Sequence, residues 1–208
     1  MQARYPEQIV ILVEGLVGPI EPSDAERWMK ARVDRVRESV EVSAALVYQK
    51  PRSSGTLAKP RFFTVFETPD ASRALGELSK PYDHETLRLL GAGAFRLLGG
   101  LPRVSKPEPD AGLMVGLTNC TDPADESDFN AWYDRVHAAD VIRSPWFWNT
   151  QRYSKIDGDL PGYAALYETT LGGSEALKQY MRWPERVSEM HPRIANLHVW
   201  SFDFMASM

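Results

Sequence analysis

The sequence predicts an α+β chain in which one strand-helix-strand-strand-helix-strand unit occurs twice, and three observations predict it. The strand-like run Gln8–Leu16, an acidic-Pro helix start at Glu21-Pro22 and Trp28 are matched by Gly112–Asn119, Asp122-Pro123 and Trp132, with the tryptophans 104 positions apart. The run Phe62–Thr68 is matched by Tyr163–Thr169, 101 positions further on, and a three-position change is what loop insertions produce. Each half also has the length of a small domain. The predicted boundaries are 1–105 for the first repeat, 106–111 for a Pro-rich linker and 112–208 for the second.

In the first half, Trp28, Met29, Val33, Val36 and Val40 mark the buried face of a helix, and Ala44–Gln49 reads as the second strand. Pro51–Gly55 is a loop, Phe62–Glu67 the third strand, and Ala71–Leu78 a helix broken at Pro81. Glu85–Leu90 is expected to be helical, with a glycine-rich continuation through Gly91, Gly93, Gly99 and Gly100. That stretch has neither a preceding strand nor a phosphate-binding lysine, so it is not read as a nucleotide loop. In the second half, Leu113–Thr118 is a strand, and a helix capped by Asp122-Pro123 runs to about Ile142. Ser144-Pro145 ends it, and Trp146–Tyr153 follows as an aromatic strand. The turn residues Ile156–Gly162, the strand Tyr163–Thr169, a helix from Glu175 toward Pro184 and a last strand Leu197–Met205 complete the unit.

The β-α-β-β-α-β order gives a four-stranded antiparallel sheet with both helices on one face, the ferredoxin-like plan. Strands this rich in Trp, Phe and Tyr cannot leave the other face in water. The two sheets are therefore expected to pack together as one intramolecular α+β barrel around a central space.

Composition narrows the function classes. The chain has 208 residues, 43% hydrophobic and 25% charged, with a formal net charge of −4 and its 24 basic residues scattered, which argues against a nucleic-acid partner. No segment is apolar enough to span a membrane, and neither a secretory signal nor a disulfide pair is visible around the single Cys120, so a cytoplasmic location is expected. The aromatic content leaves room for a homodimer. Cys120 is either a nucleophile or an inert small residue at a strand end. His191 and His198 lack companions at metal-ligand spacing, so no metal site is expected.

The candidate site centres on Asn130–Val141. His137 lies four residues after Tyr133 and four before Val141, at the edge of the buried helix face. Such a histidine either moves a proton near neutral pH or sits in the core bonded to a backbone carbonyl. Tyr133, Asn119 or Arg152 would polarise a substrate oxygen. Trp146 and Trp148 would form walls, and Asn119, Trp132 and Tyr167 would bind the substrate with them.

The run Phe129–Asp134, His137 with Asp140-Val141, Arg152-Tyr153 and the strand containing Tyr163 and Leu166-Tyr167-Glu168 resemble the EthD-like branch of the dimeric α+β-barrel superfamily. The resemblance covers about 90 residues of the second half, and the first half only as a diverged copy. Relatives often carry Pro-Gly-Phe where this chain has Pro145-Trp146-Phe147, and the position matching His137 in the first half is Val33, or Arg32 if the alignment slips by one. The superfamily holds polyketide cyclases, muconolactone isomerases, dehydratases, cofactor-free monooxygenases and haem proteins, so the resemblance implies the fold more firmly than the reaction. The expectation is a cofactor-independent enzyme performing proton-transfer chemistry (a cyclase, isomerase, dehydratase or lyase) on an aromatic or polyketide-like molecule. His137, Tyr133 and Arg152 would be its catalytic groups. The alternatives are a cofactor-free monooxygenase and a non-catalytic binder of a hydrophobic metabolite. No cofactor is expected, and a haem ligated by His137 or His191 is the less favoured case.

Overall fold

The computed structural model describes residues 6–18, 21–51, 60–80, 86–102, 111–187 and 189–208. The elements run β1 (Gln8–Leu16), α1 (Pro22–Arg37), β2 (Ala44–Gln49), β3 (Phe62–Glu67), α2 (Ala71–Leu78) and β4 (Leu87–Pro102). They continue with β5 (Gly112–Cys120), a 3-10 turn (Pro123–Asp125), α3 (Glu126–Trp132), a π turn (Tyr133–His137), α4 (Ala138–Arg143), β6 (Phe147–Gly158), β7 (Tyr163–Thr169), α5 (Gly173–Arg182) and β8 (Ile194–Ser207). By hydrogen bonding the strands follow the order β1-β3-β2-β8-β5-β7-β6-β4 and return to β1, a closed barrel. The linker predicted at 106–111, apart from Ala111, and most of the Pro51–Gly55 loop lie outside the described residues.

The chain forms two compact units, one of residues 6–96, 155–160 and 204–208, the other of residues 97–154 and 161–203. In the N-terminal unit β1 pairs antiparallel with β3 (Ile9 opposite Glu67) and β4 (Ile9 opposite Phe95), and β3 pairs with β2. Helices α1 and α2 cover a core of Val10, Leu12, Val33, Phe66 and Leu75. In the C-terminal unit β5 pairs with β7 (Leu113 opposite Glu168) and β8 (Leu113 opposite Phe202), and β7 with β6. The offsets of 104 and 101 read from the sequence carry Ile9↔Glu67 onto Leu113↔Glu168. A bulge also falls between Val13 and Glu14 in one unit and between Leu117 and Asn119 in the other.

Of the helix expected at Glu85–Leu90, Glu85 lies outside the described residues, Thr86 is a turn, and Leu87–Leu90 is instead the start of β4. Leu87 to Leu89 bond to β1, so sheet pairing overrides the helix-forming side chains there. The glycines that follow serve close packing. A Cβ on Gly91 would lie 2.7 Å from Leu160 Cδ2, and one on Gly93 would lie 2.6 Å from the Phe95 ring. The strands β6 and β8 also run further than expected, to Gly158 and Ser207. Among the described residues no helix is long and apolar enough to cross a membrane.

Candidate functional site in the C-terminal unit

The expected long helix after β5 is present but changes pitch. Asp122 accepts a hydrogen bond from Ala124 N–H at 2.9 Å and Pro123 follows it, which sets the start. At Tyr133–His137 the helix widens into a π turn, in which the N–H of Ala138 donates to the carbonyl of Tyr133, five residues back. Phe129, Tyr133, Ala138 and Val141 are the buried apolar positions along it. Their spacing of four, then five, then three keeps both flanks turned toward the sheet. Such turns mark functional sites often enough to direct attention to Tyr133 and His137.

These two residues line a cavity of about 460 Å³ that lies within the C-terminal unit, between its helices and sheet. Met114 and Gly116 of β5, Tyr167 of β7, Leu177 and Tyr180 of α5, and Ile194, Leu197 and Val199 of β8 form most of the wall. Met181, Arg186 and Met190 complete it. Gly116 makes the space. A Cβ there would stand 3.3 Å from the Tyr133 hydroxyl, and the residue in matching register in the N-terminal unit is Leu12, which is packed into that unit's core. Phe66 corresponds to Tyr167 in the same way, so the hydroxyl-bearing floor belongs to one unit only.

The polar groups of the cavity differ in state. Burial raises the phenols of Tyr133 and Tyr167 above their ordinary range, so both are protonated donors at neutral pH. The Tyr167 hydroxyl is buried beside that of Tyr133, and the interaction between the two raises the Tyr167 phenol further. His137 is pushed down to about 4, chiefly by burial. The Asp140 carboxylate opposes that shift, and Arg152 and Arg186 add to it. His137 is therefore neutral at pH 7 and able to accept a proton. Its ring stacks on Trp132 (5.1 Å, 13°) and meets Tyr133 edge-on at 5.1 Å.

Other residues singled out in the sequence take different places. Arg152 does not line the cavity. It is buried beneath Tyr133, 4.2 Å from the ring centroid, and it pairs with Asp134 at 2.5 Å and with Asn130 Oδ1 at 2.7 Å. Its role is to hold the Tyr133 ring from behind. Trp132 packs behind His137. Trp146 and Trp148 are not walls of this cavity: Trp146 packs edge-on against Trp183, and Trp148 is buried beside the β6 bulge. Asn119 sits at the end of β5, where its Oδ1 accepts from Gly162 N–H at 2.6 Å, in a separate shallow recess with Cys120 and Tyr163. In that recess the Tyr163 hydroxyl bonds to Glu126, and burial together with this carboxylate pushes the phenol up to about 12. His191 Nε2 lies 3.2 Å from Asp128, and its Nδ1 accepts from Arg193 N–H. Among the described residues no three His, Cys, Asp or Glu side chains gather as a metal site. The sequence reading missed Gly116, Tyr180 and Arg186. Only Gly116 left a signal, as a glycine where the other repeat has leucine.

No protein-family model matches the chain, and no curated protein matches it in sequence. Solved structures share its fold. A provisionally assigned monooxygenase from Fusobacterium nucleatum superposes with a TM-score of 0.64 at 7% identity, covering 98% of this chain and 95% of the other. An anthrone oxidase-like protein gives 0.63 at 9% identity over 97% and 93%. A chlorite dismutase variant from Candidatus Nitrospira defluvii gives 0.59 at 11% identity over 96% and 91%. At such identities the likeness establishes the α+β barrel fold and leaves the chemistry to the site.

Proposed function

We propose that the protein is a small-molecule enzyme that removes a proton from an apolar, aromatic or polyketide-like substrate and stabilises the resulting oxyanion, without a cofactor. The observation that carries this is the pair of buried phenols, Tyr167 beside Tyr133, that lines an apolar cavity together with His137. Two neighbouring phenols that stay protonated suit a carbonyl or phenol oxygen that gains charge as the reaction proceeds. Neutral His137 accepts the proton, and the oxyanion formed beside it raises the affinity of the imidazole for that proton. Arg152, held by Asp134 and Asn130, acts through the Tyr133 ring rather than on the substrate. The matching registers and bulges of the two units support descent from a tandem ferredoxin-like repeat of EthD-like type, whose C-terminal copy keeps the site and whose N-terminal copy has filled it.

Cyclisation, isomerisation and dehydration can all begin with this deprotonation. A second reading, cofactor-free monooxygenation, begins the same way, and the monooxygenase and anthrone oxidase-like names among the structural neighbours favour it. With anthrone as probe, loss of the ring methylene proton gives an oxyanion at the carbonyl oxygen. Dioxygen then converts anthrone to anthraquinone, with release of one water. Oxygen uptake with anthrone supports the second reading. Turnover of a substrate under argon supports the first. Ligand recovered unchanged after long incubation in both atmospheres leaves a binding protein.

A further inference from the structure

Arg186 is the one cationic side chain among the residues that line the cavity, and it is exposed at the rim, whereas Tyr133 and Tyr167 are buried at the floor. Its position is built. On one side, Arg143 Nη2 donates to the Glu185 carbonyl at 2.9 Å. On the other, Val187 N–H donates to Asp140 Oδ1 at 3.2 Å. The guanidinium lies 5.8 Å from the Tyr180 ring centroid, and Nη1 reaches Met181 Sδ at 3.7 Å, a weak acceptor that cannot balance its charge. No carboxylate among the described residues pairs with it. The nearby Asp140 is engaged by the Tyr180 hydroxyl at 3.0 Å and by the Val187 N–H. A cation fixed on the edge of an apolar cavity with no counter-ion suits a ligand that brings its own.

We infer that the ligand is a mainly apolar, aromatic-sized carboxylic acid whose carboxylate pairs with Arg186 at the rim while an oxygen at its far end meets Tyr133 and Tyr167. The inference rests on the reading of this cavity as the ligand site and adds the charge and orientation of what enters it. A volume of about 460 Å³ accommodates two or three fused rings with a short acidic end. Guanidinium and carboxylate form a bidentate, charge-assisted pair, so the contribution survives at a partly solvated rim but weakens with salt.

The test compares 6-hydroxy-2-naphthoate with 2-naphthol by calorimetry or tryptophan fluorescence. Arg186→Met is expected to weaken 6-hydroxy-2-naphthoate about tenfold and leave 2-naphthol within about twofold, while Arg186→Lys keeps most of the affinity. Tyr167→Phe is expected to weaken both ligands. Raised salt should weaken the naphthoate alone. Arg186 is exposed, so these changes leave the fold intact. If Arg186→Met changes neither ligand, or both by the same factor, the acid end is refuted while the cavity stands as a ligand site. If neither ligand binds the unaltered protein, the reading of the cavity itself falls, and this inference with it.

Discussion

Protonation of His137 should destabilise the fold over a defined pH window. The ring has an ordinary value near 6.5 in the unfolded chain and about 4 in the folded one, because burial opposes the charge. Between those values the unfolded chain binds the proton and the folded chain does not, so stability rises with pH there and is lost as pH falls from 6.5 toward 4. At 1.36 kcal/mol per pKa unit, the loss relative to pH 7 is about 2 kcal/mol at pH 5 and about 3 kcal/mol at pH 4. Glutamine has a similar shape and does not titrate, so His137→Gln should lack this component. Urea unfolding of both proteins at pH 7, 6, 5 and 4, followed by circular dichroism, isolates it, since the carboxylates common to both largely cancel. The two stabilities should converge or cross as pH falls, with the difference changing by about 2 kcal/mol by pH 5. Parallel curves would refute the claim that His137 is half-buried and neutral, and with it the proton acceptor.

Tyr167→Phe removes one of the two buried phenols of the cavity, so it should weaken ligand binding while changing stability by no more than about 1 kcal/mol, as comparison of melting and titration would show. Gly116→Leu restores the residue type that fills the matching place in the other unit, and should abolish binding of an aromatic probe with far-ultraviolet circular dichroism unchanged. Arg152→Met breaks the bonds to Asn130 and the contact beneath Tyr133, and should cost about 2–3 kcal/mol in urea unfolding, whereas Asp134→Asn at the exposed end of the same pair should cost under about 1 kcal/mol. Trp148→Ala should cost about 3–5 kcal/mol as a core truncation with probe affinity retained, because the indole is buried away from the cavity.

Periodic patterning made most strands and helices legible in the sequence. Phe62–Glu67 and Tyr163–Thr169 have the predicted bounds because each is a short apolar run stopped by turn residues. The start of β4 was not legible. Leu87 and Leu89 read as helix until β1 supplies their partners across the sheet, a long-range fact no local window contains. For the site, helical spacing brought Tyr133 and His137 together, and both meet Tyr167 at the cavity. The roles given to Arg152, Trp146 and Trp148 depended on the face each occupies, and the bulge between Phe147 and Asn149 shifts the register there. Arg186 was hidden because it stands on an irregular stretch after α5, where spacing carries no information about direction.

The most direct test of the central claim is exchange of the ring methylene protons of anthrone in deuterated buffer under argon, monitored by proton NMR at neutral pD. It reads proton removal alone, independent of any later step in turnover. The account predicts faster exchange with the unaltered protein, and a loss of roughly 10²–10⁴-fold in His137→Gln at unchanged far-ultraviolet circular dichroism. Exchange at the same rate in the two proteins, or no acceleration by either, would contradict it.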